Sequence, residues 1–174
     1  MVSVVDLTPS TLDKVEKTED ALRQLLKIAL FDFWIANEDR NANNANLMYD
    51  ISNGQIISID SGCILNTATF DFPMSQLTST DTILWSDLFS HLTNETSQTS
   101  IAKIVADLEK EYASLINKSA LQTKIILEEM PKEWNVSTDL VRGKLKQLFD
   151  EKWTTGVWNN FIECLNENLG YELF

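Results

Sequence analysis

Residues 31–62 read FDFWIANEDRNANNANLMYDISNGQIISIDSG. The stretch opens apolar, turns polar at Asn37, and becomes apolar again in two short runs, residues 47–50 and 55–60. Between those runs lies Ser52-Asn53-Gly54, and Asn-Gly flanked by apolar runs predicts a hairpin because both residues tolerate positive φ. The polar part is too rich in carboxylates and amides to be core. Asn41, Asn43, Asn44 and Asn46 suit a sharply turning loop, since Asn side chains bond nearby backbone. Within that loop Asp39 precedes Asn44 by five residues, and Asp60 closes the second strand. Such oxygens, on a loop and at a strand end, are the ligand type that magnesium prefers.

Upstream, Thr18 is placed to cap a helix whose first turn holds Glu19 and Asp20, where carboxylates favour the positive end of the helix dipole. Leu22, Leu25, Leu26, Ala29, Leu30 and Phe33 recur at helical spacing, and Ile28, Phe31 and Ile35 add a second stripe. A helix apolar on most sides belongs in the middle of a domain. Before it, Thr8-Pro9-Ser10-Thr11 predicts a short helix to about Lys17, and residues 2–7 read equally as a strand or an arm.

Downstream, residues 67–82 form a Thr- and Ser-rich excursion packed by Phe70, Phe72, Met74 and Leu77, and residues 83–91 read as one short helix. Ser100 starts a helix with Ile101, Ile104, Val105, Leu108, Tyr112 and Leu115 at three- and four-residue steps. Residues 119–129 predict another, stopped by Pro131. Two more follow, residues 138–151 behind Ser137 and residues 155–168 before Gly170, a residue suited to a helix end. The five Trp residues lie among helical apolar positions and read as packing groups.

The chain has 174 residues, 44% of them hydrophobic, enough for one core. Its expected organisation is a single domain over residues 1–174, with an arm and short helix in 1–17, the central helix, loop and hairpin in 18–66, and a helical remainder in 67–174. Fourteen basic and 26 acidic residues give a net charge of −12, which opposes direct binding to nucleic acid. Cys63 and Cys164 are far apart and read as reduced thiols. No basic-then-apolar leader and no membrane-length apolar run is present, so a cytoplasmic protein is expected.

Residues 28–47 and 57–62 resemble the HipA-like kinases, in their shorter bacterial branch, and more remotely the phosphatidylinositol kinases. The resemblance implies ATP-dependent serine/threonine protein phosphorylation with magnesium, in a toxin–antitoxin-like setting. Asp39 then falls on the catalytic Asp, and Asn44 and Asp60 on the metal- and nucleotide-binding Asn and Asp. Phosphoryl transfer is mostly positioning and charge neutralisation, which suits these residue types. Arg40 reads as the counter-charge of this acidic loop or as a surface pair. Met130-Pro131-Lys132-Glu133-Trp134 resembles a Pro-x-x-Trp element of the same branch. Where these kinases often carry His, this chain has Asn41 and Ser61.

The fold class expected is mainly α with one small β-hairpin (α+β), a protein-kinase-like C-lobe with the N-lobe absent. Such kinases carry a β-rich N-lobe upstream, with a phosphate-covering loop and a nucleotide-binding Lys, and only 17 residues precede Thr18 here. The chain is therefore expected to be a catalytic half that an N-lobe subunit or partner protein completes, acting on a protein substrate. The alternative is a non-catalytic kinase-like interaction module. A third reading spaces Asp39, Asn41, Asn43 and Asp50 as a calcium loop, but lacks its Gly at position six and Glu at position twelve.

Overall fold

The computed structural model describes residues 3–66, 72–131, 133 and 136–174. Its longest-buried element is helix α1 (Glu19–Ile35), capped by the Thr18 hydroxyl, which accepts from the Ala21 N–H. Leu22, Leu25, Leu26, Ala29 and Phe33 of α1 are fully buried. Burying one such large apolar side chain contributes about 1.5–3 kcal/mol, so this one helix anchors the fold. The second stripe is less complete than its spacing predicts, because Phe31 stays half exposed.

The chain begins with β1 (Val4–Asp6) and a 3-10 helix, Pro9–Lys14, then α1, then β2 (Leu47–Asp50) and β3 (Gln55–Ser58). Of the segment left ambiguous by sequence, Val4–Asp6 supplies a strand, and the hairpin becomes a three-stranded antiparallel sheet in the order β1-β2-β3. Val4 pairs with Asp50, Met48 with Ile57 and Tyr49 with Ile56. A two-stranded ribbon alone is marginal. Two features stabilise it: the added strand, and Gln24 of α1, whose amide donates to the Gly54 carbonyl and accepts from the Ile56 N–H at 2.8 Å. The turn is looser than a two-residue hairpin, and of Asn53 and Gly54 only Gly54 uses positive φ.

The rest is mainly helical, as expected: α2 (Asp87–Thr93), α3 (Gln98–Ala120), α4 (Thr123–Glu129), α5 (Thr138–Leu148) and α6 (Glu151–Leu169). The predicted helix over residues 83–91 is split by Ser86, which ends a short 3-10 turn and caps α2 through the Phe89 N–H. Ile101, Ile104, Val105 and Leu108 bury one end of α3, whereas α4 buries no residue. Helix α6 packs Val157, Phe161 and Leu165 against α1, with Phe33 and Phe161 edge to face at 5.8 Å. Trp34 donates to the Leu148 carbonyl, and Trp153 donates back to the Trp34 carbonyl, which locks α1 to the junction of α5 and α6. Among the described residues no helix is long and apolar enough to cross a membrane. Phe70 and Trp134 lie outside the described residues.

Candidate active site

Helix α1 ends at Ala36, a fully buried alanine in the left-handed conformation (φ 50°), which turns the chain sharply into the polar loop. Just inside that turn lies a buried polar group that the sequence reading missed. Asp32 Oδ1 accepts from Asn37 Nδ2 and from Arg40 Nη1, both at 2.8 Å, and Arg40 Nη2 donates to the Ile59 carbonyl at 2.8 Å. Arg40 is 1% exposed and Asp32 2%, so Arg40 is neither a surface pair nor the counter-charge of the open loop. Burial pushes the Asp32 carboxyl up to about 6, with Arg40 and then Asn37 pulling it back down. Asp32 Oδ2, Asn37 Oδ1 and Arg40 Nε have no hydrogen-bond partner. The signal for Asp32 was a lone acid on the core-facing side of an apolar helix, a position that demands a partner.

The loop proper is built by its asparagines, each with a separate task. Asn41 Oδ1 accepts from the Asn43 and Asn44 N–H groups, which forms the turn. Asn44 Nδ2 donates to Asp39 Oδ1 at 3.0 Å and Asn46 Nδ2 to Asp39 Oδ2 at 3.2 Å. Both oxygens of the half-buried Asp39 are thereby oriented, while each keeps acceptor capacity. Because the Asn44 amide nitrogen is engaged by Asp39, its Oδ1 is the side-chain atom of this exposed residue that remains for a ligand.

Asp60 reaches the same loop by way of its neighbour. The Ile59 N–H donates to the Asn46 carbonyl at 3.0 Å, and its carbonyl takes Arg40. Beyond it, the Glu38 N–H donates to the Cys63 carbonyl, Leu65 donates to Ile35, and Asn66 donates to Ala36, so residues 59–66 run along residues 35–46. The structure therefore brings Asp39 and Asn44 into direct contact and ties Asp60 to their loop through Ile59. Asp60 is exposed and sits at φ 50°, a costly conformation for a residue with a Cβ. At Gly62 an added Cβ would stand 3.3 Å from Asp60 Oδ1, so glycine leaves that carboxylate room. The Asn44 amide oxygen and the exposed Asp60 carboxylate are hard-oxygen donors of the type that suits magnesium, with phosphates and water as its other ligands.

The calcium reading does not survive. Asp50 is committed to its own turn, accepting from the Ser52 N–H and hydroxyl and from Asn53 Nδ2. Those bonds, with Ser52 the leading one, hold its carboxyl below the usual range. Among the described residues no three His, Cys, Asp or Glu side chains gather to hold a metal.

The HipA-like kinase family matches over residues 3–153, which takes in β1, the loop, the sheet and helices α1 to α5. This chain belongs to the HipA-like kinase family. No curated protein and no solved structure matches it. The matched span includes the strand β1 that sequence left open, and the buried Lys144 of α5. Lys144 donates to the Leu65 and Phe72 carbonyls, at either end of the segment that follows Asp60. Both cysteines are free, and burial, with Glu167 and Glu163 nearby, pushes the Cys164 thiol up to about 11.

Proposed function

We propose that this HipA-like kinase chain carries the phosphoacceptor-orienting and metal-holding side of a cytoplasmic, ATP-dependent serine/threonine protein kinase. The observation that supports it best is the double tether of Ile59, to Asn46 and to Arg40, which sets Asp60 beside the loop of Asp39 and Asn44. Asp39 accepts the hydrogen bond of a substrate hydroxyl, its carboxylate held by Asn44 and Asn46 so that little orientation is lost on binding. Asn44 Oδ1 and the Asp60 carboxylate hold magnesium. Magnesium bound with the nucleotide neutralises charge on the phosphate oxygens. The wall that covers the phosphates and supplies a nucleotide-binding Lys is assigned to an N-lobe outside these 174 residues.

The test is phosphate transfer to protein substrate by the chain together with that N-lobe, with Asp39→Asn and Asp60→Ala as controls. Transfer that both changes reduce by at least about a hundredfold is expected, the lower end of what positioned acid–base groups contribute. Transfer unchanged by Asp60→Ala would overturn the assignment. No transfer and no magnesium–nucleotide binding in the completed protein would leave the interaction-module reading.

A further inference from the structure

A cavity of about 360 Å³ opens directly beside the loop of Asp39. One wall is the loop itself with Asn43 and Asn44, a second is the end of β1 with Asp6, and a third is the start of α2 with Asp87. The volume lies within the about 300–1,000 Å³ range of sites that hold a ligand group. Its lining contains no Lys or Arg. The apolar part of the lining includes Ile59 and the leucines Leu7, Leu12, Leu47 and Leu88, of which Leu7, Leu47 and Leu88 are buried. Asp6 and Asp87 are exposed, and among the described residues neither is ion-paired.

We propose that this cavity is a specificity subsite that takes a lysine or arginine side chain of the polypeptide substrate, close in sequence to the phosphoacceptor hydroxyl. The proposal rests on the phosphotransfer role assigned to Asp39. A long basic side chain matches the lining twice, with its aliphatic stem on the leucines and its charged head at the two carboxylates. Phosphate or a carboxylate side chain is disfavoured there, because Asp6 and Asp87 repel it with no cation to compensate. The net charge of −12 acts in the same direction at longer range by drawing basic segments toward the surface. Asn43 and Asn44, on the wall shared with the Asp39 loop, place the subsite within a few residues of a bound hydroxyl.

The test is direct binding, by fluorescence anisotropy, of serine-centred peptides to the 174-residue protein. The peptides differ only in one position near the serine, which is arginine, norleucine or glutamate. The arginine peptide is expected to bind about tenfold tighter than the glutamate peptide, the effect of about 1.4 kcal/mol. In the double variant Asp6→Asn/Asp87→Asn that preference falls to below about twofold, while circular dichroism confirms that these two exposed changes leave the fold intact. The pair Glu163→Gln/Glu167→Gln removes the same charge from α6, outside the cavity, and keeps the preference. Equal binding of the peptides, loss of preference in the α6 pair, or displacement of the arginine peptide by excess AMP each overturns the proposal, the last by giving the cavity to a nucleoside. Arginine preference that persists where the completed protein transfers no phosphate would sink the kinase reading alone, leaving a basic-peptide subsite.

Discussion

Two sets of polar side chains lie a few residues apart and behave in opposite ways. Asp32, Asn37 and Arg40 are buried beneath the loop, and Asp39, Asn44 and Asp60 lie on its open side. The buried set spends charge on holding: Arg40 ties the end of α1 to Ile59, and so sets where Asp60 begins. The open set keeps its oxygens available. The difference teaches that around this helix end accessibility, rather than residue type, separates groups that hold the backbone from groups that can still take a ligand, since Asp32 and Asp39 are the same amino acid seven residues apart.

The largest expected effect comes from breaking the buried set. Arg40→Met leaves the Asp32 carboxylate with Asn37 but without a counter-charge in the core, and should cost about 3–5 kcal/mol in denaturant unfolding, the usual penalty for removing one partner of a buried pair. Adding Asp32→Leu should recover much of that loss, because the double variant has no uncompensated buried charge. A cost below about 1 kcal/mol for Arg40→Met would place the pair with ordinary surface ion pairs and erase the contrast.

Titration gives the next effect. The Asp32 carboxyl is raised from 3.8 to about 6, so the fold binds this proton more tightly than the unfolded chain does. Its contribution to stability is fully present below about pH 4 and is lost as pH rises through about 6, a change of about 3 kcal/mol. Measured as the stability difference between wild type and Asp32→Asn across that window, wild type should gain on acidification. A difference flat with pH would mean that Arg40 fully compensates the burial of the carboxylate.

The open set should matter least to the fold. Asp39→Ala, Asn44→Ala and Asp60→Ala should each shift stability by no more than about 1 kcal/mol, since none of these three loop side chains belongs to the buried core. Asp60→Gly should raise stability by up to about 1 kcal/mol, because glycine accepts the positive φ of that position without strain. Loss of several kcal/mol on Asp60→Ala in urea unfolding would instead make Asp60 a structural turn residue.

Much of this architecture was legible in the sequence, for particular reasons. Helix α1 was legible because seventeen residues of helical periodicity and a Thr cap agree, and the hairpin because Gly54 sits between apolar runs. Strand β1 was not, since three residues carry too little pattern and its partner, β2, lies more than forty residues away. The order of Asp39, Asn44 and Asp60 was visible, but the separate tasks of Asn41, Asn44 and Asn46 were not, because they depend on loop geometry. Arg40 was misread because its partner is not in the acidic loop; Asp32 lies on the far side of the helix end, and only the turn at Ala36 brings them together. The cavity draws on β1, the loop and α2, three separate parts of the chain, and no local pattern announces it.

Lys144 has a consequence for length. One ammonium group, on α5, holds the carbonyls of both Leu65 and Phe72, and one turn later Gln147 brackets Met74 by accepting from its N–H and donating to its carbonyl. With both ends of that interval fixed to a single helix, residues inserted between them need not disturb what lies outside. Loop closure costs only about 0.6 kcal/mol for each doubling of length. A change of length between Leu65 and Phe72 therefore costs this scaffold little, because the loop of Asp39 and the sheet lie outside the two fixed ends.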